Sequence, residues 1–333
     1  MGSFRSLRIM DKFQFFFKRM DIDYPSMRNI LEVKLTLDSR REATISMNDS
    51  KKKEGDEFKK SLISYGLTGL ILLFFFYSPF DLFIRMSLIL GVLMFMIITT
   101  MISDFSSVLL DIRDKNILLS KPVDERTINM AKVLHIFIYL FIITMTLSAP
   151  TLIAGTIRYR LTFSIIFFLE LILMDIFIIF LTALLYTIMI RFFDGEKVKD
   201  VINNFQIVLS LSLVVGYQIL FRMFNFIDFD LVYNPRWWNV LIPPAWYAAP
   251  FRLLLEQDEN FYITLLSILA VVIPIIALFL HIKVIGPYFE RNMYKLGKVS
   301  SQRSKIKLKT VLQRTIQTIF GRTKEERIFI RFT

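Results

Sequence analysis

The sequence predicts an all-α polytopic membrane protein with six transmembrane helices, an N-terminal amphipathic interfacial helix and both termini in the cytoplasm. Of its 333 residues, 54% are hydrophobic and 34 are phenylalanine, which is more apolar surface than a soluble domain of this length needs. Several apolar runs reach the roughly 18 to 20 residues required to cross about 30 Å of hydrocarbon. The lysines and arginines concentrate in alternate connecting segments, as the positive-inside rule requires.

Composition also excludes several kinds of chemistry. The chain contains no cysteine, so disulfides, thiolate chemistry and cysteine-ligated metals are excluded. A net charge of +12 in a soluble protein would suggest nucleic acid as a partner. Here the positive charges flank apolar spans, a distribution typical of contact with anionic lipid headgroups. We therefore expect membrane lipid, and no nucleic acid, among the partners.

The first 60 residues are predicted to form a cytoplasmic segment, amphipathic at first and then charged. Its start is apolar but interrupted by Arg8, Lys12 and Lys18, without a small-residue cleavage site, so it is typical of a surface segment rather than a signal peptide. Apolar residues at helical spacing predict an amphipathic helix within 24–41, lying on the inner membrane surface. A polar linker then leads into the first span.

Hydropathy predicts a transmembrane domain over residues 61–286. Its six spans are 61–80, 82–103, 133–154, 163–190, 205–222 and 261–283. The segments assigned to the cytoplasmic side contain 35 lysines and arginines, whereas those assigned to the outer side contain four. This asymmetry predicts a multi-pass protein of the cell membrane with cytoplasmic termini. Residues 287–333 are interpreted as a basic cytoplasmic tail whose renewed amphipathic pattern is typical of the entry to a further portion of a longer protein.

An unusual outer segment precedes the last span, at 235–256. It contains all three tryptophans, Trp237, Trp238 and Trp246, and indoles favour the headgroup zone. Pro243 and Pro244 interrupt a continuous helix. The pattern predicts a re-entrant element of short helices that dips into the outer leaflet. The alternative is a loop packed flat on the spans.

Two carboxylates lie within the predicted spans. Glu170 and Asp175 would each cost roughly 2.5–3.5 kcal/mol facing lipid at the bilayer centre, so we expect both to face the protein interior. Five residues apart, they project about 140° from each other on a helix and do not form one paired acid–base site. One interpretation is a polar translocation path or proton relay. The other is a buried contact with polar groups such as Gln218 or Thr187 on neighbouring spans.

The sequence offers no catalytic motif. A P-loop, an HExxH motif and a GxSxG motif are all absent, and the two histidines are far apart in sequence. We therefore expect a protein that is not an enzyme, with no catalytic or metal-binding residue and no cofactor bound directly.

The segment between the second and third spans, 104–132, is long and charged. Helix–helix connections usually run about two to eight residues, whereas this one approaches thirty. Its apolar pattern is helical, breaks at Lys121 and Pro122, and resumes with Asp124 or Glu125 near the start of a new helix. The pattern predicts a helix–turn–helix that docks on a partner protein, and the alternative is a solvated extension of the two spans.

Three stretches resemble the permease subunits of ABC transporters, in the exporter class with six spans and small extracellular regions. DIRDKNILLSKPVDERTINMAKVLHIF resembles the first cytoplasmic loop of that class, where a short coupling helix carries an LLSxPV-like sequence. RNILEVKLTLDSRR resembles the connecting helix before span one. LIPPAWYAAPF resembles the re-entrant element between spans five and six. The resemblance covers essentially the whole chain, through pattern more than through invariant residues.

The resemblance implies an ABC permease subunit without an ATPase of its own. A second permease copy or a paralogue would complete the substrate pathway, and separate cytoplasmic ABC ATPase subunits would hold ATP and Mg. The residues expected to couple to the ATPase are Asp111, Arg113, Leu118, Leu119, Pro122, Asp124, Glu125 and Arg126. A different class of function is a secondary transporter or channel in which Glu170 and Asp175, with Gln218 nearby, serve as an intramembrane relay.

Overall fold

A computed structural model provides the fold, and every regular element in the part of the chain that it describes is helical. This confirms the all-α class for that part. The described residues are 5–12, 14–19, 21–39, 57–109, 124–192, 201, 203–209, 211–212, 215–216, 218 and 233–285.

Eight α-helices account for most of the described chain, together with a 3₁₀ turn and a π-helical turn. In chain order these elements are α1 (Arg5–Asp11), α2 (Gln14–Arg19), α3 (Tyr24–Ser39), α4 (Glu57–Phe76), α5 (Leu82–Leu109), α6 (Glu125–Phe192), the 3₁₀ turn (Trp237–Leu241), α7 (Pro243–Leu255), α8 (Phe261–Leu280) and the π-helical turn (His281–Ile285).

Three of the described helices are long and apolar enough to cross a membrane, which is consistent with a membrane protein. The qualifying stretches are Leu82–Ile102, Arg126–Met189 and Phe261–Ile285. The first and last agree with the predicted spans 82–103 and 261–283. The apolar part of α4, Leu62–Phe76, is shorter, so the predicted span 61–80 is not among the three. The number of six spans and the orientation of the termini stay predictions, and eight of the eighteen residues 205–222 lie outside the described residues.

Helix α6 reverses direction at Arg160. This residue has φ 63° and ψ −163°, a backbone conformation that glycine adopts far more readily than arginine. The Thr144 hydroxyl lies 2.8 Å from Asp175 Oδ1 although the two residues are 31 positions apart. In a straight helix they would be separated by about 46 Å. Helix α6 therefore consists of two antiparallel arms, 125–159 and 161–192, which agree with the predicted spans 133–154 and 163–190.

The main core surrounds α5. Its side chains Met86, Ile89, Leu90, Leu93 and Ile97 are fully buried, and α5 packs against α4, α6 and α7. Aromatic rings close the core near the reversal, where the Phe163 centroid lies 5.1 Å from that of Phe251. No side chain from Leu82 to Ile102 is exposed, so α5 occupies the centre of the bundle.

A second core joins the N-terminal helices to the beginning of α6. The α3 side chains Met27, Leu31 and Leu35 recur every four residues and are buried against Ala131 and Ile138 of α6. This spacing places them on one face of a helix, which explains why the predicted amphipathic helix within 24–41 forms as Tyr24–Ser39. We call this region the base. The opposite end of α6, around Arg160, is the reversal end.

Candidate functional site

The predicted docking segment is described only at its end. Helix α6 begins at Glu125, as the charge pattern predicted, and the side chains of Asp124 and Arg126 on either side are exposed to solvent. The other predicted coupling residues lie outside the described residues; they are Asp111, Arg113, Leu118, Leu119 and Pro122.

Helix α3 is attached to α6 directly after this segment. The backbone N–H of Asp23 donates a hydrogen bond to Thr127 Oγ1 at 3.2 Å, and the Thr127 side chain is fully buried. Thr127 lies in the first turn of α6, three residues after the exposed Asp124. The entry to α3 and the first turn of α6 are therefore held together at the point where the charged segment ends.

A surface cluster on the base fixes α1 to α3. The Tyr24 hydroxyl donates to Asp11 Oδ1 at 2.6 Å, and Arg28 Nε donates to the same oxygen at 3.0 Å. The hydrogen bond from Tyr24, assisted by Arg28, lowers the pKa of Asp11 below its ordinary value. Burial and the bond to Asp11 raise the pKa of Tyr24 to about 12.

The predicted re-entrant segment forms two short helices. Trp237 and Trp238 begin the 3₁₀ turn and are exposed. Pro243 and Pro244 form the first turn of α7, where a missing N–H costs no hydrogen bond. Trp246 is buried in α7. Residues 237–241 and 243–255 are therefore helical, whereas the re-entrant arrangement and its alternative, a segment packed flat on the spans, stay predictions.

Helix α7 lies inside the bundle rather than on its surface. Eight consecutive residues, from Ala245 to Arg252, are buried. The indole Nε1 of Trp246 donates to the Val240 carbonyl at 2.8 Å, which ties α7 to the preceding turn. Gly91 of α5 faces Pro244, so the two helices approach closely there. A short helix in this position presents its side chains to the centre of the bundle.

A buried arginine holds α7 at the reversal end. Arg252 contacts Asp81 Oδ2 at 3.1 Å and Asp258 Oδ2 at 2.8 Å, and also approaches Glu256. Its Nη1 donates to the carbonyl of Tyr233. We call these residues the Arg252 cluster. Sequence reasoning missed it because Asp81 is 171 positions away from Arg252, although the position of Asp81 and Arg252 beside apolar runs is a weak signal.

Glu170 and Asp175 both face the interior, as predicted. Glu170 is 5% exposed and Asp175 is 0% exposed. Asp175 accepts its hydrogen bond from Thr144 of the first arm, not from Gln218 or Thr187. Gln218 is exposed, and Thr187 donates to a carbonyl of its own helix, so neither is available to the carboxylates.

A third polar group faces these carboxylates from α7. The Tyr247 side chain is fully buried, and both Glu170 and Asp175 act electrostatically on its hydroxyl. Within the described residues, Glu170 Oε2, Asp175 Oδ2 and the Tyr247 hydroxyl have no hydrogen-bond partner. We call Glu170, Asp175, Tyr247 and Thr144 the acidic cluster. Sequence reasoning missed Tyr247, since a tyrosine in an aromatic segment carries no signal of what it faces.

Metal ligation finds no support in the described part of the chain. The residues that the structure describes contain no group of three or more histidine, cysteine, aspartate or glutamate side chains able to hold a metal ion. The acidic cluster contributes two carboxylates, and its other members are hydroxyls. Hydroxyls and carboxylates in a closely packed interior favour hydrogen-bond and proton chemistry.

Comparisons with protein-family models, with curated proteins and with solved structures give no match for this chain. Arguments about function therefore rest on the sites. Two are relevant: the base, where α3 and α6 meet beside the charged segment, and the acidic cluster within the bundle.

Proposed function

We propose that the chain is the transmembrane permease subunit of an ATP-driven ABC transporter of the exporter class. It forms the substrate pathway with a second copy or a paralogue. Separate cytoplasmic ATPase subunits bind ATP and Mg, and they also bind residues 111–126 of this chain. The observation that carries the proposal is the hydrogen bond between Asp23 and Thr127. It attaches the connecting helix α3 to α6 next to the segment 111–126.

The packing at the base supports a rigid lever. Thr127 and Ala131 are fully buried, and the apolar face of α3 lies against them. A displacement applied at Asp124 therefore moves the start of α6 and the whole of α3 together. The first arm of α6 continues for about 30 Å from Asp124 to Thr144, at about 1.5 Å per residue. Movement at the base is in this way transmitted to the acidic cluster.

The test begins with purification in mild detergent and identification of any nucleotide-hydrolysing subunit that accompanies the chain. Because the chain has no native cysteine, single cysteines label specifically. We expect D124C and R126C to cross-link to an ATPase. R158C, exposed near the reversal end, is the matched control and should not.

Coupling is tested by replacing Asp124, Glu125 and Arg126 with alanine. We expect ATP hydrolysis to continue while transport is lost, with the variant still in the membrane. Normal transport by this variant would contradict the lever. Reporter fusions that place residues 104–132 on the outer side would also contradict it, since no cytoplasmic ATPase could then reach them.

The alternative, a secondary transporter or channel, draws support from the complete burial of Asp175 beside Glu170. The same preparation separates the two functions. Gradient-driven flux by the purified chain without any ATPase favours the alternative, whereas flux that requires ATP and a partner favours the permease.

A further inference from the structure

The acidic cluster combines groups from three segments that are distant in sequence. Thr144 comes from the first arm of α6, Glu170 and Asp175 from the second, and Tyr247 from α7. Three of their polar atoms are buried and unpartnered within the described chain. Leaving such an atom without a hydrogen bond is unfavourable. Because Glu170 and Asp175 both act on the Tyr247 hydroxyl, the core retains this cost at three atoms of one cluster, and a ligand would satisfy them.

The cluster lies well inside the bundle. Counting from the reversal at Arg160, Glu170 is about 15 Å and Asp175 about 22 Å along the second arm. Arg158 and Arg160 are both exposed at the reversal, as expected for a membrane boundary. A hydrocarbon layer of about 30 Å measured from there contains both carboxyl groups.

The surroundings of the carboxyl groups contain no cation to balance their charge. In the described structure neither Glu170 nor Asp175 forms a salt bridge, and no basic group acts on either one. Helix α8 has no charged residue between 261 and 280. The basic residues of α5 and α7, Arg85 and Arg252, are bound at the reversal end instead. Two ionised carboxylates here would be uncompensated, and buried groups in that position take up protons.

Hydroxyls on the first arm extend the polar surroundings. Thr144, Ser148 and Thr151 are fully buried at spacings of four and three residues, on one face of the helix. The Thr151 hydroxyl has no hydrogen-bond partner in the described chain. A hydroxyl both donates and accepts, so this stripe can exchange hydrogen bonds with either form of a carboxyl group.

We propose that Glu170 and Asp175, with Tyr247 as their shared polar neighbour, form a proton-binding site inside the helix bundle. A carboxylate oxygen takes a proton from water and becomes a neutral carboxylic acid, and it returns the proton to water when the site opens. Because Tyr247 belongs to α7, movement of α7 changes what the carboxyl groups face. This inference goes beyond the proposed permease function, since it adds proton binding to a cycle driven by ATP.

Infrared difference spectroscopy tests the site directly. The purified full-length chain is reconstituted into liposomes, and spectra in acidic and alkaline buffer are subtracted, in H₂O and in D₂O. A protonated carboxyl group has a C=O stretch that is distinct from the bands of an ionised carboxylate and that shifts in D₂O. We expect two such bands, one lost in E170Q and the other in D175N. The exposed carboxylate variant E259Q is the matched control and should retain both.

Two further variants, T144V and Y247F, test the site if E170Q or D175N does not fold. T144V preserves the side-chain volume but removes the hydrogen bond to Asp175, so the Asp175 band should move to higher frequency while the Glu170 band stays. Y247F should shift both bands. Bands that survive in E170Q and D175N, or that appear only when Na⁺ is removed, would overturn the proposal. The measurement needs no ATPase, so its failure is distinct from failure of the permease function.

Discussion

The base and the reversal end each contain an arginine surrounded by carboxylates, yet the two clusters differ in burial. At the base, the side chain of Arg28 is 28% exposed and that of its partner Asp11 is 42% exposed. At the reversal end, the side chain of Arg252 is 6% exposed and that of Asp81 is 13% exposed. The distances between the paired atoms are nearly equal, 3.0 Å and 3.1 Å.

Burial, rather than distance, decides what each arginine contributes. Exposed ion pairs contribute about 0–1 kcal/mol to stability because water and salt screen them. In a buried pair, the cost of desolvation offsets the attraction, but removing one partner leaves an uncompensated charge. Burial raises the pKa of Asp81 even beside Arg252, so desolvation outweighs attraction there. The Arg252 cluster therefore fixes the position of α7, whereas the Arg28 cluster is an adjustable surface contact.

The largest effect is expected for R252A. Removal of the guanidinium leaves Asp81 buried without its cation, which costs about 3–5 kcal/mol of unfolding free energy. Reversible unfolding in detergent measures this loss. The control R158A removes an exposed arginine near the same end and should change the unfolding free energy by less than about 0.5 kcal/mol. Equal stability of the two variants would show that burial does not distinguish the clusters.

A smaller effect is expected for D81N. Asparagine can still accept through Oδ1 from the N–H of Ile84, which donates to Asp81 Oδ1 at 2.9 Å, and it has no charge to desolvate. Its amide nitrogen replaces the oxygen that accepts from Arg252, but Arg252 retains Asp258 and the Tyr233 carbonyl. We expect a change within about 1 kcal/mol in unfolding free energy. A loss as large as that of R252A would contradict the role given to desolvation.

The pH dependence of the unfolding free energy of D81N provides a further test of the raised pKa of Asp81. Since the folded-state pKa of Asp81 is raised, its contribution to stability is fully present below its unfolded pKa of about 3.9 and is lost as the pH rises through the folded value. The wild type should therefore lose stability relative to D81N on going from acidic to neutral buffer. A difference that is independent of pH would contradict the raised pKa.

At the base, Y24F should cost about 1 kcal/mol, the net value of a hydrogen bond to a partly exposed carboxylate. The effect should be local, because the substitution removes only the hydroxyl, which joins α3 to Asp11 of α1. The exchange of backbone amide hydrogens should become faster in α1, α2 and α3 and stay unchanged in α5. Y77F, at an exposed tyrosine, is the matched control. Faster exchange throughout the bundle would show that the base is not a separate unit.

The smallest effect is expected for R28A. It removes the contacts with Asp11, which is exposed, and Glu32, which is half-buried, so the loss should be below about 1 kcal/mol at low ionic strength and should vanish at high salt. The unfolding free energy of R252A relative to wild type should, by contrast, keep its value in salt. A salt-independent R28A effect would contradict the assignment of this pair to the surface.

The parts of the fold that depend on local pattern were predictable. Continuous apolar sequence identified α5 and α8, and the helical spacing of Met27, Ile30 and Leu31 indicated α3. The first predicted span extended to residue 80, but α4 ends at Phe76, close before Pro79, which disfavours a helical conformation in the residue preceding it. The position of a proline therefore predicts such a helix end better than hydropathy does.

The sites depend on tertiary contacts, so the sequence predicted some of their residues but not others. The cost of charge in hydrocarbon identified Glu170 and Asp175 from sequence alone. The partner of Asp175 was not predictable, because Thr144 is brought near by the reversal at Arg160 and not by sequence proximity. Tyr247 and the Arg252 cluster require knowledge of how α7 lies in the bundle, which periodicity does not contain. The coupling residues before Asp124 stay predictions.

The reversal at Arg160 has a consequence for how the chain assembles. Because the two arms meet at a single residue, the first contacts between them involve neighbours in sequence and carry almost no loop-closure entropy. Pairing can then proceed from the turn outward, one helical turn at a time, until Thr144 reaches Asp175. Contacts between residues that are close in sequence form early in folding. We expect the hairpin to be an early folding unit onto which α5 and α7 later assemble.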